Sequence, residues 1–285
     1  MEQFAQYLVN GFLTGGSFVL ASLGLTLIFG VLNVVNFAHG AFYTLGAYLA
    51  LLVMERWGVG FFPALLVAMA AVAIFGMLMD PLIFRRLRGR GELPTIIASM
   101  GLSLLMGDGI RLLWGAAPQY LRSPYVDDVI HLGPLILNGE LVLVFVTAVV
   151  LIGALYWFIE RTWVGLQIRM VAQDAMAAAL MGVYINRVAV VAWAICGTLT
   201  AAAGVLIVPA FALEPSVGDA VTLTAFAVVI FGGIGSVLGT IVAGLALGIS
   251  ESLSEGYLFP GIRQIVAFAV LIIVLVIRSQ KLRGR

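Results

Sequence analysis

The chain is nearly devoid of lysine. Of its 15 basic residues only Lys281 is not arginine, and no basic residue of either kind precedes Arg56. Cysteine occurs once, at Cys196 within an apolar stretch, which excludes an intramolecular disulfide. Of the two histidines, His131 stands far from His39, and the cysteine and carboxylates that a metal site at His39 would need are not near it in sequence. Because the single lysine is followed by Leu282, the chain holds no G-x-x-x-x-G-K-[ST] and cannot cradle ATP in a P-loop. H-E-x-x-H, G-x-S-x-G and paired carboxylates within the apolar segments are also missing, which leaves an enzyme reading without catalytic residues. Neither a cofactor nor a nucleic-acid partner is expected of this chain.

Charge is scarce as well, at 10% of residues against 62% hydrophobic, with a mean hydropathy of +1.14. That balance excludes a soluble domain and predicts an all-α polytopic membrane protein, one domain over 1–285. Apolar segments long enough for about 30 Å of hydrocarbon run over roughly 8–30, 31–54, 61–79, 94–114, 139–159, 187–213, 220–234, 236–253 and 262–278. They amount to eight or nine passes, some broken or re-entrant. The first lacks the positive flank of a cleaved leader and reads as a retained span.

Arginine sets the sidedness. Arg85, Arg86, Arg88 and Arg90 mark one cytoplasmic loop, Arg161, Arg169 and Arg187 another, and Arg278, Lys281, Arg283 and Arg285 place the C-terminus on the same side. The loops at 115–138 and 214–219 carry Asp127, Asp128, Glu214 and Asp219 against Arg122 alone and belong outside. An even number of crossings must then separate Arg187 from Arg278. Segment 220–253 therefore crosses twice or dips in and out, bending at the glycines of 231–239. The same parity makes 8–54 a hairpin with the N-terminus outside. Both bends open with Ile-Phe-Gly, at 28–30 and 230–232, which hints at a duplication.

One apolar stretch, 28–54, carries Asn33, Asn36 and His39 together, followed by Gly40. Polar side chains in lipid are costly unless they find partners or face water, so this cluster predicts a break in a membrane helix. Its residues either bind helices together or line a transport path; their clustering beside a break favours the path, with Gly232 and Gly233 of the second bend as its other candidates. Gly40, Thr44 and Ala47, and later Gly235, Gly239, Thr240, Ala243, Gly244 and Gly248, form small-residue faces for close packing. Asp108 and Arg111 are spaced to pair on one helix face. Strong helix formers over 166–181, too polar to span and stopped by Gly182, predict a short cytoplasmic helix. It is either a plain surface helix or a docking element for a partner. The external 117–138 reads as loop with a short interfacial helix.

Three blocks carry a resemblance. They are Asn-Phe-Ala-His-Gly at 36–40 with Leu-Gly-Ala-Tyr at 45–48; Gly165-Leu166 running to Arg169, Ala172, Asp174, Ala177-Ala178 and Gly182; and Phe-Gly-Gly-Ile-Gly-Ser-Val-Leu-Gly-Thr at 231–240. In this order they resemble the permease subunits of branched-chain amino-acid ABC importers. The resemblance implies a bacterial inner-membrane protein paired with a second homologous permease, two cytoplasmic ATP-binding subunits and a periplasmic substrate-binding protein. It also implies that 166–182 is a coupling helix seated in an ATPase cleft, with Arg169, Gln173, Asp174, Ala178 and Gly182 as its contact candidates. Relatives for urea, short amides or aromatic acids leave the substrate open, and a passive small-solute channel is the reading from another class.

Overall fold

The computed structural model describes residues 2–125, 128–132, 135–258 and 269. Long apolar helices dominate: α1 (Glu2–Leu32), α2 (His39–Trp57), α3 (Phe61–Met79), the single turn α4 (Arg85–Leu87), α5 (Glu92–Trp114), α6 (Gly139–Arg161), α7 (Trp163–Gln173), α8 (Ala175–Leu180), α9 (Ile185–Ile207), α10 (Val217–Gly232) and α11 (Val237–Tyr257). Six stretches are long and apolar enough to cross a membrane, built on α1, α3, α5, α6, α9 and α11. Two helices counted as passes from the sequence fall outside that set. His39, Glu55 and Arg56 dilute the hydropathy of α2, and α10 has only 16 residues. The expected span 262–278, residue 269 excepted, and the basic residues after it lie outside the described residues, as do Asp127 and Pro134.

Local chemistry sets the ends. Gly58 closes α2 in the left-handed region (φ 61°), its N–H donating to the Met54 carbonyl. Asn138 caps α6, its side-chain oxygen accepting from the N–H groups of Glu140 and Leu141 at 2.9 and 3.2 Å. Proline at 81 removes a donor, and the chain widens into a π turn over Asp80–Phe84 before α4. The segment 117–138 differs from the expected loop and interfacial helix. Aliphatic residues on both sides of Gly133-Pro134 form a hairpin, β1 (Val129–Leu132) with β2 (Leu135–Asn138), with Val129 opposite Asn138.

Polar contacts sort the connections into two ends. At one end Ile136 N–H donates to the Gln6 side chain at 2.9 Å, Ser252 Oγ donates to the Tyr7 carbonyl at 2.8 Å, and Gln119 pairs with Leu213. At the other, the fully buried carboxylate of Asp80 holds Arg88 at 2.5 Å and Arg85 at 3.4 Å, and Arg88 also reaches Asn186 at 3.1 Å. Arg169 meets Glu160 there too. These are the two groups of loops that arginine segregation separates.

Packing repeats itself within the chain. α1 packs along α11 as α9 packs along α3, α2 lies on α9 as α10 lies on α1, and α2 neighbours α3 as α10 neighbours α11. Gly24 lies against Cys196 and Thr200, whereas Thr14, earlier in α1, shares a cavity wall with Leu206 and Ile207 at the end of α9. α1 and α9 are therefore antiparallel, and the triplets α1–α2–α3 and α9–α10–α11 run in opposite senses. This is an inverted repeat. The two Ile-Phe-Gly triplets do not mark it, because Gly30 sits near the end of α1 and Gly232 ends α10, which are not counterparts.

Candidate functional site

The expected break is at 33–38, between α1 and α2. Asn33 leaves α1 in the left-handed region (φ 52°), alone among non-glycine residues described, and its side chain is exposed. Asn36 is fully buried; its Oδ1 accepts from Ala38 N–H at 3.0 Å and turns the chain into α2. The backbone freed by the break is satisfied from α5, where Ser99 Oγ accepts from Phe37 N–H at 3.1 Å and lies 3.3 Å from the Val35 carbonyl. Asn36 Nδ2 is buried without a partner. His39 Nε2 is 2.6 Å from the Ala21 carbonyl, so that nitrogen carries the proton and Nδ1 faces Thr200 Oγ1 at 3.4 Å. His39 thereby bridges α1, α2 and α9.

Gly40 takes part in a reciprocal clasp. Its N–H donates to Thr222 Oγ1 on α10 at 2.8 Å, and Gly218 N–H donates back to Thr44 Oγ1 on α2 at 3.1 Å. Each threonine hydroxyl donates in turn to the glycine carbonyl one turn earlier on its own helix, at 3.0 Å in both cases. A side chain on either glycine would collide with the other's carbonyl, so backbone touches backbone at the centre of the repeat. Gly232 and Gly233 lie at the far end of α10. Gly233 (φ 91°) starts the turn into α11, and a β-carbon on Gly235 would lie 2.8 Å from Gly30 Cα, so the second bend touches the end of α1. The structure thus brings both bends to one region, with Phe37 and Phe226 in ring contact between them (5.0 Å).

The expected 166–181 helix is two helices. Asp174 ends α7 and caps α8, its Oδ1 accepting from Met176 and Ala177 N–H at 2.8 and 3.0 Å. Gly182 (φ 85°) closes α8. Ala178 faces inward at 2% exposure and Arg169 is tied to Glu160, whereas Gln173 and Asp174 are exposed. The most exposed large apolar side chains of α8 and its closing turn are ones the sequence reading passed over: Met176 at 77%, Leu180 at 84% and Met181 at 77%. They form an apolar knob at the end of the molecule that carries Arg88 and Arg169.

The sequence also gave no sign of a cavity of about 660 Å³ bounded by α1, α6, α10, α11 and the end of α9. Phe18, Leu206 and Leu223 supply apolar wall, Ser17 and Thr224 hydroxyls, and Glu140 and Glu251 carboxylates. None of Asn33, Asn36, His39 and Gly40 lines it.

Comparison with known proteins assigns the family. The model of the branched-chain amino acid transport system permease component matches residues 7–275. The high-affinity branched-chain amino acid transport system permease protein BraD of Pseudomonas aeruginosa is 28% identical over 99% of this chain and 96% of its own. The corresponding LivH protein of Escherichia coli is 29% identical over the same shares. A probable branched-chain amino acid transport permease LivH of Methanocaldococcus jannaschii is 29% identical over 84% of this chain and 78% of its own. No solved structure matches. The match over nearly the whole chain, on a helical fold with six apolar spans, places it plainly: the chain belongs to the family of branched-chain amino acid transport permease components, and is a transport subunit rather than an enzyme.

Proposed function

We propose that this chain forms half of the translocation path of an importer for branched-chain or related small apolar amino acids, driven by partner ATPases. ATP closes the ATPase pair, the α7–α8 element moves, and the path changes the side to which it opens. A second homologous permease completes the pore, and a periplasmic binding protein delivers the solute. The N-terminus and the hairpin end face outward; the Asp80–Arg88 end and the C-terminus face the cytoplasm, in keeping with arginine placement. Cofactor chemistry belongs to the partners, since ATP binds there.

The observation that carries this reading is the α7–α8 knob. Met176, Leu180 and Met181 are exposed at the arginine-rich end, on an element shaped by Asp174 and Gly182, and they suit the apolar cleft of a soluble partner better than water. Arg169 and Ala178 hold the knob to the body, and Gln173 rims it. The route is proposed to pass the break, where Asn33 is exposed and Asn36 keeps a buried donor unpaired, and then Gly232 and Gly233. His39 and Gly40 support it from behind.

Asp174→Ala tests the coupling. Loss of a helix cap costs about 1 kcal/mol locally, so the variant is expected to insert and fold normally but to lose most ATP-driven uptake and co-purify poorly with its ATPases. Full uptake with intact co-purification would leave α7–α8 as a plain surface element.

A further inference from the structure

The cavity bounded by α1, α6, α9, α10 and Glu251 of α11 holds a carboxylate that the fold engages through only one of its two oxygens. Glu140 is 1% exposed and belongs to the cavity wall. One carboxylate oxygen, Oε2, accepts from Ser123 Oγ at 2.5 Å, while Oε1 is buried with no hydrogen-bond partner. Capping does not account for it, because Asn138 already satisfies the N–H groups of Glu140 and Leu141. An ionisable oxygen left unsatisfied at the edge of a membrane span is costly and points to a ligand that completes it.

We propose that this cavity binds a primary ammonium group carried on a small apolar body, the amino end of the transported solute, with Glu140 as its anchor. The inference rests on the transport reading above and adds to it the place where the solute is held. A second carboxylate, Glu251, belongs to the same wall, and no basic side chain does among the described residues. Phe18, Leu206 and Leu223 receive the apolar body. An ammonium brings three donors. A lipid chain would match the apolar wall and leave Oε1 bare. The volume of about 660 Å³ falls within the usual range for small-molecule sites.

The full-length chain in lipid nanodiscs is heated with increasing 3-methylbutylamine, an ammonium on a branched body, or with 4-methylpentanoate, the same body with only a carboxylate. The amine is expected to raise the unfolding midpoint by several degrees and the carboxylate to leave it unchanged. Glu140→Gln keeps the size and the Ser123 contact, and should raise the half-saturating amine concentration about tenfold or more. Leu223→Trp, which fills the cavity from the α10 side and keeps Glu140, should do the same and decides the matter if Glu140→Gln does not fold. Equal responses to amine and carboxylate, or an amine response unchanged in Leu223→Trp, would overturn the site. Uptake by the wild-type complex is measured beside these. Uptake without an amine response removes the site alone, and an amine response without branched-chain uptake removes the transport reading beneath it.

Discussion

The two inverted triplets meet in the same clasp yet fill the space beside it differently. Where α2, α3 and α9 converge, Trp193 stacks on Phe84 with ring centroids 4.4 Å apart, Phe42 lies 6.1 Å from Trp193, and Phe75 closes on Phe42 at 5.4 Å. Phe42, Phe84 and Trp193 are all at most 1% exposed. At the counterpart place, beside α10 and α1, the chain leaves a cavity of about 660 Å³. The clasp pairs Gly40 with Gly218 and Thr44 with Thr222, and on that register Phe42 corresponds to Ala220, a residue of the cavity wall. One architecture thus closes into a packed core in one half and leaves a cavity in the other, with Phe42 against Ala220 as one side-chain difference between them. A solid aromatic junction gives α2 a fixed seat; a hollow one leaves α10 a wall that a solute can touch.

The comparison is broken most severely at the clasp. Gly40→Leu drives a side chain into the Gly218 carbonyl where neither helix can give way, and the expected result is loss of the folded protein, read as the monodisperse fraction recovered after extraction. Next comes the filled junction. Trp193→Ala removes the largest fully buried side chain and should cost about 3–5 kcal/mol, seen as a large fall in unfolding temperature. The smallest effect sharpens the symmetry instead. Thr44→Val and Thr222→Val each delete one hydroxyl that serves two partners, and each should cost about 0.6–2 kcal/mol, equal within error. Unequal costs would show that the two halves of the clasp do not bear load alike.

Much of the scaffold was legible in the sequence because hydropathy and arginine placement act through local composition. The limits of α3 follow the predicted span closely, the Asp108–Arg111 pair is present at 3.3 Å, and the break lies where Asn33, Asn36 and His39 cluster. The clasp was not legible, since its four residues are ordinary one by one and lie far apart in the chain. Ser99 was missed for the same reason: one serine in an apolar helix carries no sign that it serves a distant backbone. Asp174 could have been read better. An aspartate before an alanine-rich run is a cap signal, and it divides the element into α7 and α8. The cavity was not legible either, because its walls come from five helices that lie far apart in the chain.

The most direct test exchanges the fillings of the two halves and measures thermal stability and ATP-driven leucine uptake on the assembled complex. Phe42→Ala should lower the unfolding temperature sharply while each folded complex still transports. Ala220→Phe should keep the unfolding temperature near that of the parent and abolish most uptake. Uptake retained in Ala220→Phe, with the loss of transport falling on Phe42→Ala instead, would contradict the division of labour between the packed half and the hollow one.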